Sequence, residues 1–222
     1  MTTVPLPTNL PEHEALLQGP ICVLPTPFDE IGRVDLESLA RTTTYAIDNG
    51  ARGVVCFGLA SEAVKLTDEE RIASLLQVVD TVNGRVPVIA GSESNSAVSA
   101  AMRTREYVKA GAGAVMVMPP SFTRPRPSEI VDYYQFIGAA ASGVQVIVQD
   151  APAWTGVDLP VAVLNEVKKL APNVNAVKVE NPPSHQKFLD LKGCGFELIG
   201  GYGALHLMED IDAGISSVMC GP

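Results

Sequence analysis

Basic charge is scarce in this chain. Lys and Arg number 16 against 25 Asp and Glu, a formal charge of −9. A nucleic-acid or anionic-membrane partner would call for a basic face, so neither is expected. Long apolar runs are also missing: none approaches the roughly 20 residues of a membrane span. Residues 1–18 lack a basic stretch followed by an apolar one, which excludes a secretory signal in this segment. The four cysteines, Cys22, Cys56, Cys194 and Cys220, show no CxxC spacing, and His13, His185 and His206 are dispersed. Neither a disulfide framework, nor a metal cluster, nor a cofactor is expected from such a set. Charged residues make up only 18% of the chain, but hydrophobic ones reach 46%. That balance excludes disorder and supports a large core. The expectation is a cytoplasmic globular protein.

What is present is rhythm. Residues 1–19 read as a proline-rich tail, with one short helix expected at Glu12–Gln18, and residues 20–222 as a single domain. Apolar, β-branched runs recur at Ile21–Leu24, Gly53–Phe57, Val86–Ala90, Ala114–Met118, Val144–Gln149, Val174–Val179, Phe196–Ile199 and Ile215–Met219. Helical periodicity fills the gaps at Asp35–Asn49, Asp68–Val82, Ala97–Ala110, Ser128–Ala141, Val161–Leu170, Ser184–Leu191 and Ala204–Asp212. Thr67-Asp68-Glu69-Glu70 is a capping box, and Asn49-Gly50 and Ala110-Gly111 are helix stops. Near-continuous apolar strands alternating with amphipathic helices predict an α/β fold with a parallel sheet. Strict alternation of eight strands and seven helices predicts a (β/α)8 TIM barrel ending after strand eight. An open doubly wound sheet would carry a glycine-rich turn after strand one, where this chain has Leu24-Pro25-Thr26-Pro27-Phe28.

In a barrel the chemistry sits in the loops at the C-terminal strand ends. Lys178 stands out there because it lies inside an apolar strand, sharing parity with Val174 and Ala176. If that face is the barrel interior, desolvation favours a neutral amine able to attack a carbonyl. The alternative is a strand-end lysine reaching solvent or pairing with Glu180. Glu93, between Ser92 and Ser94, reads as a solvated loop residue. The glycines around Tyr202 suit either a turn or close approach of backbone to a ligand.

Several motifs occur in order from Gly19 onward: Leu24-Pro25-Thr26-Pro27-Phe28, Gly58 to Glu62 with Leu66-Thr67, Val88-Ile89-Ala90-Gly91, Pro152 to Gly156, Val177-Lys178-Val179-Glu180 and Gly214-Ile215-Ser216. Their succession resembles the dihydrodipicolinate synthase and N-acetylneuraminate lyase superfamily. The resemblance implies that Lys178 forms an imine with pyruvate or another 2-keto acid, in aldol condensation or cleavage or in dehydration. It implies substrate contacts at Ala60, Ser61, Gln149, Gly200 and Ser216. It further implies a homo-oligomer, dimer or tetramer, in which the loop after strand four reaches a neighbouring subunit. Members of the superfamily continue past strand eight with a last helix and a helical region, which these 222 residues do not supply.

The departures from the family pattern bear on chemistry. Leu59 and Ala60 stand where a threonine pair usually holds the keto-acid carboxylate, and Ser61 replaces a glycine. Gln149 stands at the proton-relay tyrosine and Asp150 at the following asparagine. Trp154 falls at the synthases' entrance arginine, and Ser121 and Phe122 at the tyrosine pair after strand four. Glutamine has no accessible pKa and cannot shuttle protons. A replacement relay is therefore sought at Ser61, Tyr202, Asp150 or a bound water, each weighed against a structural role. The apolar Leu59, Ala60, Phe122 and Trp154 suggest a second substrate less polar than a dicarboxylate semialdehyde. A protein that binds a keto acid or sugar acid without turning it over is the competing reading.

Overall fold

The computed structural model describes residues 17–221. Eight parallel strands close into a barrel in sequence order: β1 (Gly19–Val23), β2 (Gly53–Cys56), β3 (Val88–Gly91), β4 (Ala114–Val117), β5 (Gln145–Asp150), β6 (Val174–Val179), β7 (Glu197–Gly200) and β8 (Ser217–Cys220). Closure is made by β8 pairing with β1, with Ile21 opposite Met219. The outer layer is α1 (Leu36–Asp48), α2 (Asp68–Val82), α3 (Ala97–Lys109), α4 (Pro127–Ala140), α5 (Pro152–Thr155), α6 (Val161–Leu170), α7 (Ser184–Leu191) and α8 (Leu207–Ala213). The expected alternation is present, with α5 as an extra single turn after β5. The helix expected from Ala204 starts later, because Gly203 and Ala204 have positive φ and a short 3-10 turn at Tyr202–Ala204 precedes α8. The capping box is formed: the Glu70 amide donates to Thr67 Oγ1, and the Thr67 amide donates to Glu70 Oε2. Among the described residues no helix is long and apolar enough to cross a membrane.

Period-two alternation divides the apolar residues into two populations. Ile21, Val23, Val55, Met116, Ile147, Ala176, Ile199 and Met219 fill the barrel interior. Their strand neighbours, such as Val54, Val115, Val148 and Val177, turn outward under the helices. Leu17 is also part of the interior, and its amide donates to Glu197 Oε1 at 2.8 Å. Residues 17–19 thus pack with the barrel, and the helix expected at Glu12–Gln18 lies almost wholly outside the described residues.

One irregularity sets up the site. Val146 pairs with Val174, but Ile147 pairs with Ala176, so Asn175 is an extra residue in β6. Val174 consequently faces the helix layer, while Ala176 faces the interior. Lys178 shares its face with Ala176 but not with Val174, which corrects the parity read along this strand. An inserted residue of this kind re-aims every side chain after it.

Candidate active site

Lys178 lies on the interior face at the C-terminal end of β6 and is 3% exposed. Residues two apart on extended backbone share a face, so Glu180, just past the strand end, also turns inward. Lys178 Nζ lies 3.0 Å from Glu180 Oε1. The other carboxylate oxygen, Oε2, accepts from Gln149 Nε2 at 2.6 Å. Gln149 is the register partner of Lys178 on the neighbouring strand. The Tyr202 amide donates to Glu180 Oε1 at 3.4 Å. The lysine thus points inward, as expected, and also pairs with Glu180.

Above this pair opens a pocket of about 480 Å³. Leu59, Ala60, Trp154, Lys178, Glu180 and Tyr202 line it, with Val23 and Met219 contributing from the barrel interior. The Trp154 and Tyr202 rings meet edge to face with centroids 5.9 Å apart. Among the described residues no arginine lines the pocket, and its basic and acidic side chains are those of Lys178 and Glu180. Phe57 and Glu62 after β2, and Tyr202 and Ala204 after β7, have positive φ without being glycine. Such strained backbone tends to collect at functional sites.

Two neighbouring glycines differ in what they face. A Cβ on Gly200 would point at Ile215 and Val218, away from the pocket. A Cβ on Gly201 would sit 2.6 Å from Glu180 Cγ and 3.0 Å from Lys178 Cε. Gly201, unlike Gly200, packs against the Lys178–Glu180 pair. Gly201→Ala is expected to displace the Glu180 side chain and slow capture of a keto acid at Lys178 roughly 10- to 100-fold, as misplacements near 1 Å do. The fold should survive, because the crowded atoms belong to side chains. Timed trapping with borohydride, together with a thermal melt, checks both halves.

The remaining expected site residues divide cleanly. Ala60 and Tyr202 line the pocket. Ser61 is buried in the loop instead: its Oγ accepts from the Gly58 amide at 3.1 Å and donates to the Leu24 carbonyl at 2.6 Å. Those bonds commit its hydroxyl to joining the first two loops. Ser216 precedes β8, and its Oγ donates to the Leu198 carbonyl at 3.2 Å. It opens the strand rather than ending it, so it is not brought to the pocket. Asp150, adjacent to Gln149 on β5, must face the opposite way. Its Oδ2 lies 3.1 Å from Lys187 Nζ on α7. Burial raises its carboxyl above the usual range, and Lys187 pulls it back. Asp150 therefore has no path to the amine. Gln149 does reach the site, as a donor that holds Glu180.

Glu93 is only partly exposed rather than fully solvated, and burial pushes its carboxyl up, against the pull of Arg71 and Arg103. Phe122 is 87% exposed, while its amide and that of Ser121 each donate to Asn95 Oδ1 at 2.9 Å. Burial lifts the Cys56 thiol to about 12, which leaves it inert near neutral pH.

The dihydrodipicolinate synthetase family model matches residues 16–219. The chain belongs to this family. It is 35% identical over 155 residues to 4-hydroxy-tetrahydrodipicolinate synthase of Methanothermobacter thermautotrophicus, covering 69% of this chain and 54% of that protein. It is 31% identical over 222 residues to L-2-keto-3-deoxyarabonate dehydratase of Azospirillum brasilense, covering 96% of this chain and 70% of that protein. Its fold superposes on the 4-hydroxy-tetrahydrodipicolinate synthase of Methylacidiphilum fumariolicum SolV with a TM-score of 0.86 at 26% identity, over 91% of this chain and 67% of that one. The chain spans about half the length of the first curated relatives it matches. Within the dihydrodipicolinate synthetase family frame, the site combines a lysine at the end of the sixth strand with a glutamine on β5 and a carboxylate two residues beyond the lysine. Glu180 is expected from the sequence both in the Val177–Glu180 motif and as a pairing partner of Lys178. Its inward direction was available from its spacing of two residues from the lysine.

Proposed function

We propose that the protein is a Schiff-base lyase or aldolase acting on pyruvate or another 2-keto acid, with Lys178 as nucleophile. The observation that carries this reading is a buried lysine directed into a pocket at the C-terminal end of β6. That strand end is where barrel chemistry is sited. The amine attacks C2 of the keto acid, and the resulting iminium accepts electrons from the adjacent carbon–carbon or carbon–hydrogen bond. That sink serves cleavage, condensation and dehydration alike. The names of the two relatives, a synthase and a 2-keto-3-deoxy sugar acid dehydratase, fall within this range. The apolar walls at Leu59 and Ala60 and the Trp154–Tyr202 pair favour a second substrate without a second carboxylate.

Assembly as a homo-oligomer through the loop that presents Phe122 belongs to the same reading, since an exposed aromatic anchor on a proline-stiffened loop suits an interface centre. A cytoplasmic location fits the composition.

Pyruvate followed by borohydride tests the covalent step. One reduced adduct, mapped to Lys178 by peptide mass, is the expected result; no adduct, or an adduct elsewhere, removes the proposal. A panel of 2-keto acid aldols and 3-deoxy sugar acids then separates an enzyme from a binding protein. Labelling at Lys178 without turnover of any of them favours the binding protein.

A further inference from the structure

We infer that Glu180 is the proton carrier of the imine-forming step, standing in for the phenol that the chain lacks at Gln149. The inference rests on the Schiff-base reading of Lys178. The geometry singles Glu180 out. Its Oε1 is 3.0 Å from the Lys178 nitrogen, so it touches the reacting atom itself. Its Oε2 is held by a glutamine amide, a donor with no proton to exchange at accessible pH. Oε1 is left as the oxygen that faces the amine. Gly201 supplies the space that the Glu180 methylenes fill. The other groups offered as relays are engaged elsewhere: Ser61 with Gly58 and Leu24, and Asp150 with Lys187 across the barrel wall. The Tyr202 side chain packs against Trp154, and its contact with the pair is made by its backbone amide.

The proton account closes without a co-reactant. Lys178 ammonium gives one proton to the Glu180 carboxylate, leaving a neutral amine and a carboxylic acid. The amine nitrogen attacks C2 of the keto acid, the C=O π bond breaks, and Glu180 returns its proton to the new alkoxide. Glu180 then takes a second proton from the nitrogen and delivers it to the hydroxyl, which leaves as water while the C=N bond forms. The third nitrogen proton remains on the iminium. Ammonium and ketone have become iminium and water, with no oxidant or reductant involved. The pair carries no net charge as ammonium and carboxylate, as amine and acid, or as iminium and carboxylate. A buried site tolerates that sequence, whereas a lone buried charge at any stage would be heavily penalised.

The test mixes the protein with pyruvate, quenches with borohydride at timed intervals and follows the Lys178 adduct by mass. In Glu180→Gln the adduct should appear about 100-fold more slowly than in wild type, the usual scale of a lost acid–base group. With borohydride present throughout, so that each imine is trapped as it forms, it should still reach the same final extent, because the nucleophile remains. A residue that only props up the pocket would lower the extent and leave the rate of the competent fraction unchanged. Glu180→Asp, which keeps the carboxylate but draws it back by one methylene, should fall between the two. It decides the matter if the glutamine variant fails to fold. Wild-type rates in either folded variant overturn the role of Glu180. Failure of wild-type protein to label at Lys178 at all would instead overturn the Schiff-base reading on which this one rests.

Discussion

Lys178→Ala is expected to abolish the pyruvate adduct and, in the same molecule, to destabilise the barrel by about 3–5 kcal/mol. The first effect follows from removing the nucleophile. The second is less obvious and follows from what remains. Lys178 and Glu180 are almost fully buried together, with side chains 4% and 8% exposed. Without the ammonium, Glu180 keeps only the Gln149 amide and a long bond from the Tyr202 backbone. An unpaired carboxylate in that setting has lost most of what offset its desolvation. Lys178→Met with Glu180→Gln should recover most of the stability, because two neutral groups of similar volume leave no charge behind. It should recover none of the adduct. Denaturant unfolding and borohydride labelling on wild type and the two variants test the account. A single alanine variant within 1 kcal/mol of wild type would show that Glu180 does not depend on the lysine.

The same pair marks the boundary of what pattern alone discloses. Strand number, strand order and the barrel follow from a period-two rhythm broken by helical stretches, because burial on both faces of a parallel sheet imposes that rhythm on the sequence. The position of Lys178 near a strand end was legible for the same reason. Its direction was argued from Val174 and Ala176, yet only Ala176 shares its face. The extra residue Asn175 carries no compositional mark, and the bulge emerges only when β5 and β6 are registered against each other. Gly200 and Gly201 are equivalent in the sequence and face opposite sides of the wall once β7 is placed. Ser61 looked free to act because its partners, Gly58 and Leu24, are main-chain atoms that any sequence would supply. Asp150 could have been assigned correctly. Adjacent strand residues face opposite ways, so an inward Gln149 requires an outward Asp150.

Outward placement gives Asp150 a second role, exposed by replacing its partner. Lys187→Ala is expected to cost about 3–5 kcal/mol near neutral pH, the scale for stripping one member from a buried ion pair. Asp150 is wholly buried, and Lys187 Nζ at 3.1 Å is the cation that pulls its carboxyl down, against burial, Asp158 and Glu180, which raise it. The direction with pH follows from that balance. A carboxyl whose folded value lies above its unfolded one contributes no penalty below the unfolded value, near 4, and loses stability as pH rises through the folded value. Removing Lys187 raises the folded value further and widens that window. The deficit of the variant relative to wild type should therefore be greatest near pH 7 and shrink as pH falls toward 4. A smaller, pH-independent part should persist, from the bond Lys187 Nζ donates to the Leu159 carbonyl. Asp150→Asn in the Lys187→Ala background should remove the pH dependence and leave that residue of the cost. A deficit constant across the range would mean that the ion pair is incidental. The consequence reaches the pocket. Asp150 accepts the Glu180 amide through its carbonyl at 2.8 Å and directly follows Gln149, so its backbone is joined to both residues that frame Lys178.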